Sequence, residues 1–403
     1  MIAEWREVKL EELGTIGRGK SKHRPRNADI LFGDKYPFVQ TADVKNAEFK
    51  IYNYSQMYSA EGLAQSKLWP KGTLCITIAA NIADSSILGI DACFPDSVVG
   101  FTAHSDKSDV RFVKYLFDLL QVRIKQISQG AAQDNLSLEK IRTLNFLVPP
   151  LETQTKIASI LSGYDDLIEN NLKRINILEE MAQQTYEEWF VRMRFPGYET
   201  ARFDLETGLP EGWEKGKLNN ITDYLSGYAF KSSEFKNKGN GIIRIKNIGN
   251  NTIDISDVVY INDDYAKKQN KFLLKAGDLL IAMTGATVGK VGIMPFSDKK
   301  FYLNQRVGKL ITENTAFLNS FFNSTYGINQ IVNIASGAAQ PNISAQQILD
   351  IELVVPKQSV LQLFAQNFNK NISTVVNLQS QNQRLREARD ILLPRLMMGV
   401  ITV

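Results

Sequence analysis

The chain has 403 residues, 44% hydrophobic and 22% charged, enough for two to four domains with cores of their own, and it reads as soluble and globular. A net charge of +4 is too small to announce a nucleic-acid binder by composition, and Cys75 and Cys93, with no CxxC, exclude a disulfide framework and point to a reducing cytoplasm. The opening Met1-Ile-Ala-Glu-Trp-Arg-Glu7 lacks the apolar core of a signal peptide, and no apolar run approaches the roughly 20 residues of a membrane span.

Residues 5–13 (W-R-E-V-K-L-E-E-L) open a first globular region, followed by a Gly-punctuated basic segment over 14–26. A short strand is predicted over 36–39, then the polar stretch Gln40-Thr-Ala-Asp43. Trp69-Pro-Lys-Gly72 reads as a turn feeding a β-like run over 73–78, and 110–127 has helical spacing. Gly130-Ala-Ala-Gln-Asp-Asn-Leu-Ser137 leads into Phe146-Leu-Val-Pro-Pro150 and a long predicted helix, 151–195, broken only by Gly163. Its apolar residues fall on two rows spaced by seven: Ile157, Tyr164 and Leu178, and Leu161, Ile168, Ile175, Ala182 and Trp189. A strict period of seven keeps facing a partner, so this is a coiled-coil seam rather than a lone surface helix.

After a polar linker with Gly208, Pro210 and Gly212 the scheme recurs. Trp213 answers Trp5 at an offset of 208, Lys275-Ala-Gly-Asp-Leu-Leu-Ile281 answers residues 70–76 at 205, and Gly337-Ala-Ala-Gln-Pro-Asn-Ile-Ser344 answers the Gly130 motif at 207. Phe364, Leu378, Leu385 and Leu392, with Phe368, Val375 and Leu396, repeat the two helical rows at 207. The expected division is a first globular domain over 1–150, a central spacer helix over 151–195, a linker over 196–212, a second globular domain over 213–357 and a C-terminal spacer helix over 358–403. The fold class is mixed α/β (α+β): two pseudo-two-fold-related domains joined by two long helices in an antiparallel coiled coil. The helical segments carry net charges of −4 (151–200) and +3 (358–403), which suits pairing. Roughly 40 helical residues would hold the domains on the order of 60 Å apart. Asn171, Asn371 and Asn382 lie on the apolar rows and would fix register. A coiled coil used only for dimerisation or spacing is the alternative.

Several short motifs in fixed order carry a resemblance: Leu209-Pro-Glu-Gly-Trp213, the doubled G-A-A-Q-x-N-[IL]-S, the Val-Pro ends, Glu188-Trp-Phe-Val-Arg-Met-Arg-Phe-Pro-Gly197, and Arg389-Asp-Ile-Leu-Leu-Pro-Arg395. Together they resemble the specificity (S) subunit of type I restriction–modification systems, over essentially the whole chain. The resemblance implies two target recognition domains, each reading half of a split double-stranded DNA sequence. It also implies helices that dock methyltransferase (M) subunits, two of them, and a complex completed by restriction (R) subunits that methylates adenine or cleaves DNA. The target sequence does not carry over.

The residues themselves supply no convincing catalytic site. His23 and His104 are the only histidines, with no HExxH and no zinc spacing. Gly285-Ala-Thr-Val-Gly-Lys290 is one residue short of a P-loop and Val291 replaces its Ser/Thr. No [DNS]-P-P-[YF] tetrapeptide or glycine-rich S-adenosylmethionine loop is present, so no cofactor is expected on this chain; S-adenosylmethionine, ATP and Mg are expected on partner subunits. Glu7-Val-Lys9 supplies the E-x-K of a nuclease core without an upstream Pro-Asp and reads as surface strand.

Phosphate contacts need Lys, Arg and backbone N–H groups on loops, and base readout needs Arg, Asn, Gln or Thr on a presented edge. In the first domain the candidates are Arg18, Lys20, Lys22, Arg24 and Arg26, with Gln40 and Thr41 after the next strand. In the second they are Tyr228, Lys231, Arg244, Lys246, Asn247, Thr284, Thr287, Lys290, Asn304, Gln305 and Arg306. Strand alternation is expected to put Arg244 and Lys246 on one face, with Ile243 and Ile245 on the other. Gln133, Asn135, Gln340 and Asn342 recur identically, so they cannot encode two different targets; they are read as caps or braces at the helix junction, with sequence-neutral backbone contact as the alternative. Trp189 and Phe190 are read as coiled-coil or M-subunit contacts. A protein-binding adaptor and a metal-dependent nuclease built on Glu7 and Lys9 are the competing functions.

Overall fold

The computed structural model describes residues 5–79, 83–129, 137–249, 251–335 and 341–403. It contains two compact units, residues 1–170 with 384–403, and residues 171–383.

In the first unit the strands are β1 (Arg6–Lys9), β2 (Gly14–Arg18), β3 (Phe32–Phe38), β4 (Lys50–Ile51), β5 (Gln56–Tyr58), β6 (Leu68–Trp69), β7 (Leu74–Thr77), β8 (Ser85–Leu88), β9 (Ala92–Cys93), β10 (Val98–Ala103) and β11 (Asn145–Val148). They form a five-stranded sheet ordered β2-β10-β7-β8-β4, a four-stranded sheet β5-β3-β9-β6, and the pair β1-β11. Every residue of β7 is buried, because the strand serves two cores. Leu74 and Ile76 point into one with Phe101, Phe112 and Phe146, while Cys75 points into another with Val39, Trp69 and Phe94. The period of two thus divides one apolar run between a helical layer and a second sheet. That helical layer includes Val110–Gln129, whose first turn is capped by Asp109 accepting from the Arg111 N–H at 2.9 Å.

The second unit repeats the plan. Its strands are β12 (Glu214–Lys217), β13 (Asp223–Ser226), β14 (Asn240–Ile243), β15 (Val259–Ile261), β16 (Leu279–Ala282), β17 (Val291–Ile293), β18 (Phe301–Leu303), β19 (Val307–Ile311) and β20 (Glu352–Val355). The order β13-β19-β16-β17 matches β2-β10-β7-β8, and β12-β20 matches β1-β11. In the remaining sheet β14 lies antiparallel to β15 and parallel to β18, as β3 lies to β5 and β9. The central strand again divides: Leu279 and Ile281 face one core, Leu280 and Ala282 another.

The helix Leu151–Tyr186 begins after the Pro149-Pro150 pair and passes into a π-turn over Glu187–Val191; a second helix runs Gln358–Met397. Each unit pairs its own parts of the two, antiparallel. In the first, Ile157, Ala158 and Leu161 share a core with Leu396 and Met397, and Asp165 meets Arg389. The Tyr115 hydroxyl donates to the same carboxylate, which burial pushes up against the pull of Arg389. In the second, Ile175 packs with Val375 and Leu378, and the buried Asn171 amide donates to Asn382 Oδ1 at 2.9 Å. Trp189 and Phe190 are absorbed by this unit's own aromatic core: Phe190 is buried against Trp213, Phe317 and Phe364, and Trp189 lies edge-on to Phe364. Phe364 belongs to the second long helix, so of the two readings of Trp189 and Phe190 the helix-to-helix contact is the one these rings make.

Candidate nucleic-acid interface

Two parallel strands that end side by side leave their carboxyl ends open, which is where α/β sheets present ligand-binding residues. In the second unit β14 and β18 end at Ile243 and Leu303, so Arg244-Ile245 and Asn304-Gln305-Arg306 leave the sheet together; the Asn304 N–H donates to Ile243 O at 3.2 Å. The β16–β17 connection arrives at the same place. Its turn over Gly285–Thr287 is tied to Ile245, whose carbonyl accepts from Thr287 Oγ1 at 3.3 Å. The second half of the second motif copy then adds an edge: Gly285 N donates to Pro341 O at 3.0 Å and Ile343 N to Met283 O at 2.9 Å, bridging Thr284 to Asn342. Together they line an open cavity of about 890 Å³ whose polar rim is Thr284, Gln305, Arg306 and Asn342. Gln305 and Arg306 are exposed there. Thr284 Oγ1, on that rim, and Arg244 Nε, one residue before the cavity-lining Ile245, are buried with no hydrogen-bond partner among the described residues.

The candidates separate on this geometry. Thr284, Gln305, Arg306 and Asn342 come together, and Arg244, Asn304 and Thr287 border them. Tyr228 bridges to Asn304, with its ring against Phe230 and Phe272, while Lys231 and Lys290 are exposed. Two expectations are corrected. The strand stops at Ile243, and Ile245–Asn247 forms a 3-10 turn, so no alternation pairs Arg244 with Lys246. Asn247 is buried and spends its side chain on the fold. Its oxygen accepts from Arg244 N at 3.0 Å and its amide donates to Asp254 O and Asp257 O at 3.0 and 2.8 Å, so it has nothing left for a base. Lys246 is held by Asp257 at 2.6 Å and lowers that carboxylate's pKa.

In the first unit the basic segment folds on itself. Arg18 donates to the Asp96 carbonyl, Arg26 pairs with the Asp96 carboxylate at 2.7 Å, and Arg24 donates to the carbonyls of Ser21 and His23 at 2.7 and 2.8 Å. Lys20 and Lys22 are exposed. Gln40 stands at the N-cap of the helix Thr41–Asn46 and donates its amide to Gln56 Oε1 at 2.6 Å; Thr41 opens that helix, half-buried. Lys9 donates to Thr143 O at 2.6 Å from the β1 edge beside Glu7. Among the described residues no group of three or more His, Cys, Asp or Glu is placed to hold a metal ion, and no helix is long and apolar enough to cross a membrane.

Gln133, Asn135 and Gln340 lie outside the described residues. The last residue of each motif copy explains part of the recurrence: Ser137 and Ser344 each cap a short helix, accepting from the N–H groups of Lys140 and Gln347 at 3.2 Å. Asn342 stands on the cavity rim, a position that motif identity alone could not reveal.

Two copies of one mixed α/β plan, each with its own stretch of paired helix, and a rim of Arg, Gln, Asn and Thr in the second, define a duplicated scaffold. Residues 2–180 and 210–382 both match the type I restriction modification DNA specificity domain, and the chain belongs to that family. It is 26% identical to the type I restriction enzyme MjaIX specificity subunit of Methanocaldococcus jannaschii, over 99% of this chain and 94% of that one. It is 21% identical to the HindI specificity subunit of Haemophilus influenzae, over 99% and 100%. The crystal structure of a type I restriction–modification S subunit from M. genitalium shares the fold, with a TM-score of 0.60 at 16% identity over 98% of this chain and 96% of that one.

Proposed function

We propose that the chain is the sequence-reading subunit of a type I restriction–modification complex, binding a split, asymmetric double-stranded DNA target with one recognition domain per half-site. The domains are residues 1–150 and 213–357, and the paired helices serve as the spacer between half-sites and the dock for two M subunits, with R subunits joining the assembly. Adenine methylation and ATP-dependent cleavage, and the S-adenosylmethionine, ATP and Mg they use, belong to those partners. The observation that carries this reading is one strand order used twice with different polar residues at the open ends of the parallel strands. A shared scaffold with divergent rims is what a reader of two unlike half-sites requires. Enrichment of duplexes from a random library by the chain assembled with its M subunits tests it: a split motif is expected, and enrichment of no motif returns the chain to a protein-binding adaptor. Incubating the chain alone with DNA and Mg²⁺ is expected to leave the DNA intact; cleavage would favour the nuclease built on Glu7 and Lys9.

A further inference from the structure

The two units place one pair of residues in the same position. β3 and β14 are the strands parallel to β9 and β18, with Phe38 opposite Cys93 and Ile242 opposite Tyr302. Two residues beyond each of these registers stand Gln40 and Arg244. Both have extended backbone, both open a helical turn, and both are pinned by the side chain three residues on: Gln40 N donates to Asp43 Oδ2 at 2.8 Å, and Arg244 N to Asn247 Oδ1 at 3.0 Å. Their neighbours match as well, with Val39 and Ile243 buried before them and Val44 and Ile248 buried after. The backbone is therefore fixed twice by one device while the side chain changes from amide to guanidinium.

Both side chains are half-buried at the open end of a parallel pair. Arg244 Nε is buried without a partner, and among the described residues Arg244 forms no ion pair, its nearby carboxylate Asp257 being held by Lys246. Gln40 uses one amide N–H on Gln56 Oε1, which leaves the other for a base. These two residue types are the ones whose paired donors and acceptors match single purines in the major groove: Gln spans N6 and N7 of adenine, and Arg spans O6 and N7 of guanine.

We infer that Gln40 and Arg244 are equivalent specificity-determining residues, Gln40 reading an adenine in one half-site and Arg244 a guanine in the other. This rests on the DNA-reading function proposed above and goes beyond it by assigning a base to a residue in each half. The test is library enrichment with the full chain and its M subunits, comparing wild type with Gln40→Arg and Arg244→Gln. Each exchange converts one purine of one half-site, adenine to guanine or guanine to adenine, with a preference change on the order of 5- to 150-fold and the other half untouched. An unchanged motif, a change in both halves, or an equal loss on every sequence overturns the assignment. Should an exchange fail to fold by thermal melting, the more conservative Gln40→Glu and Arg244→Lys replace it. The Gln40→Glu variant is expected to select cytosine in place of adenine, and Arg244→Lys to weaken the guanine preference; an unmoved motif with either again overturns it. A wild-type complex that enriches no split motif defeats the DNA reading itself, an outcome distinct from a motif that ignores these two positions.

Discussion

Gly289 shows how one residue is dictated by its place. It closes the β16–β17 turn with its N–H on Ala282 O at 2.8 Å and a φ of +78°. A Cβ there would lie 2.2 Å from Ile331 Cγ2, so Gly289→Ala adds a clash to left-handed strain. A loss of roughly 2 kcal/mol or more is expected, read as a lower urea midpoint at unchanged slope. In the first unit it is Ala83, at a φ of +65°, whose N–H returns to the end of the corresponding strand, on Thr77 O at 2.8 Å, so a methyl is accommodated there. Glu179 is a second case. Its carboxyl lies beside a small cavity lined by Ile293, Phe368, Ile372 and Val375, and burial pushes its pKa up to about 7 despite a hydrogen bond from Asn251. A carboxyl with a folded pKa above its unfolded value favours the folded state most at low pH. That contribution is complete below the unfolded pKa of about 4.5 and is lost as pH rises to about 7. Glu179→Gln mimics the protonated form at every pH. Its melting temperature should therefore pull ahead of wild type between pH 5 and 7.5; a gap that stays constant would show that the charge is not the cause.

At the scale of elements the long helices carry two kinds of polar contact on an apolar seam. Asp165 is nearly inaccessible and accepts from both Tyr115 and Arg389. Asp165→Asn removes the buried partner of Arg389 and leaves the guanidinium only the exposed Asp390 at 3.0 Å, a loss of about 3 kcal/mol in the first unit. Among the described residues the Asn171 amide donates to Asn382 Oδ1 and Gln381 Oε1, and Asn382 Nδ2 is already buried without a partner, so Asn171→Ala should cost less, about 1–2 kcal/mol, by stranding Asn382 Oδ1 as well. The double change Asn171→Leu with Asn382→Leu should be neutral or stabilising while weakening the choice of register. Chemical denaturation ranks the three variants, and an Asn171→Ala loss equal to that of Asp165→Asn would overturn the distinction between a buried charge and a buried amide.

At the scale of the molecule, the proposed spacer role makes a prediction about distance. One added heptad in both helices keeps the seam in phase and should lengthen the permitted gap between half-sites by roughly 10 Å, or about 3 base pairs. Library enrichment reads the gap directly; an unchanged gap removes the spacer role and leaves two-site reading standing.

Much of this was legible from residues 1 to 403 in order. The heptad rows, the doubled motif and the turn at Gly72 are local or strictly periodic signals, and the seam positions Ile157, Leu161, Ile168, Ile175, Phe364 and Leu378 are buried in the structure. The rim was only half legible. A residue's type says what it can bond to, but whether the bond is already spent depends on chain brought from elsewhere: Asn247 is consumed by Asp254 and Asp257, Arg26 by Asp96, and Phe190 by Trp213 and Phe364. The equivalence of Gln40 and Arg244, 204 residues apart, matches none of the offsets of 205, 207 and 208 carried by the motifs. Insertions in loops shift numbering freely, whereas strand pairing and a side chain closing on a backbone N–H fix position in space, so tertiary structure alone could align them.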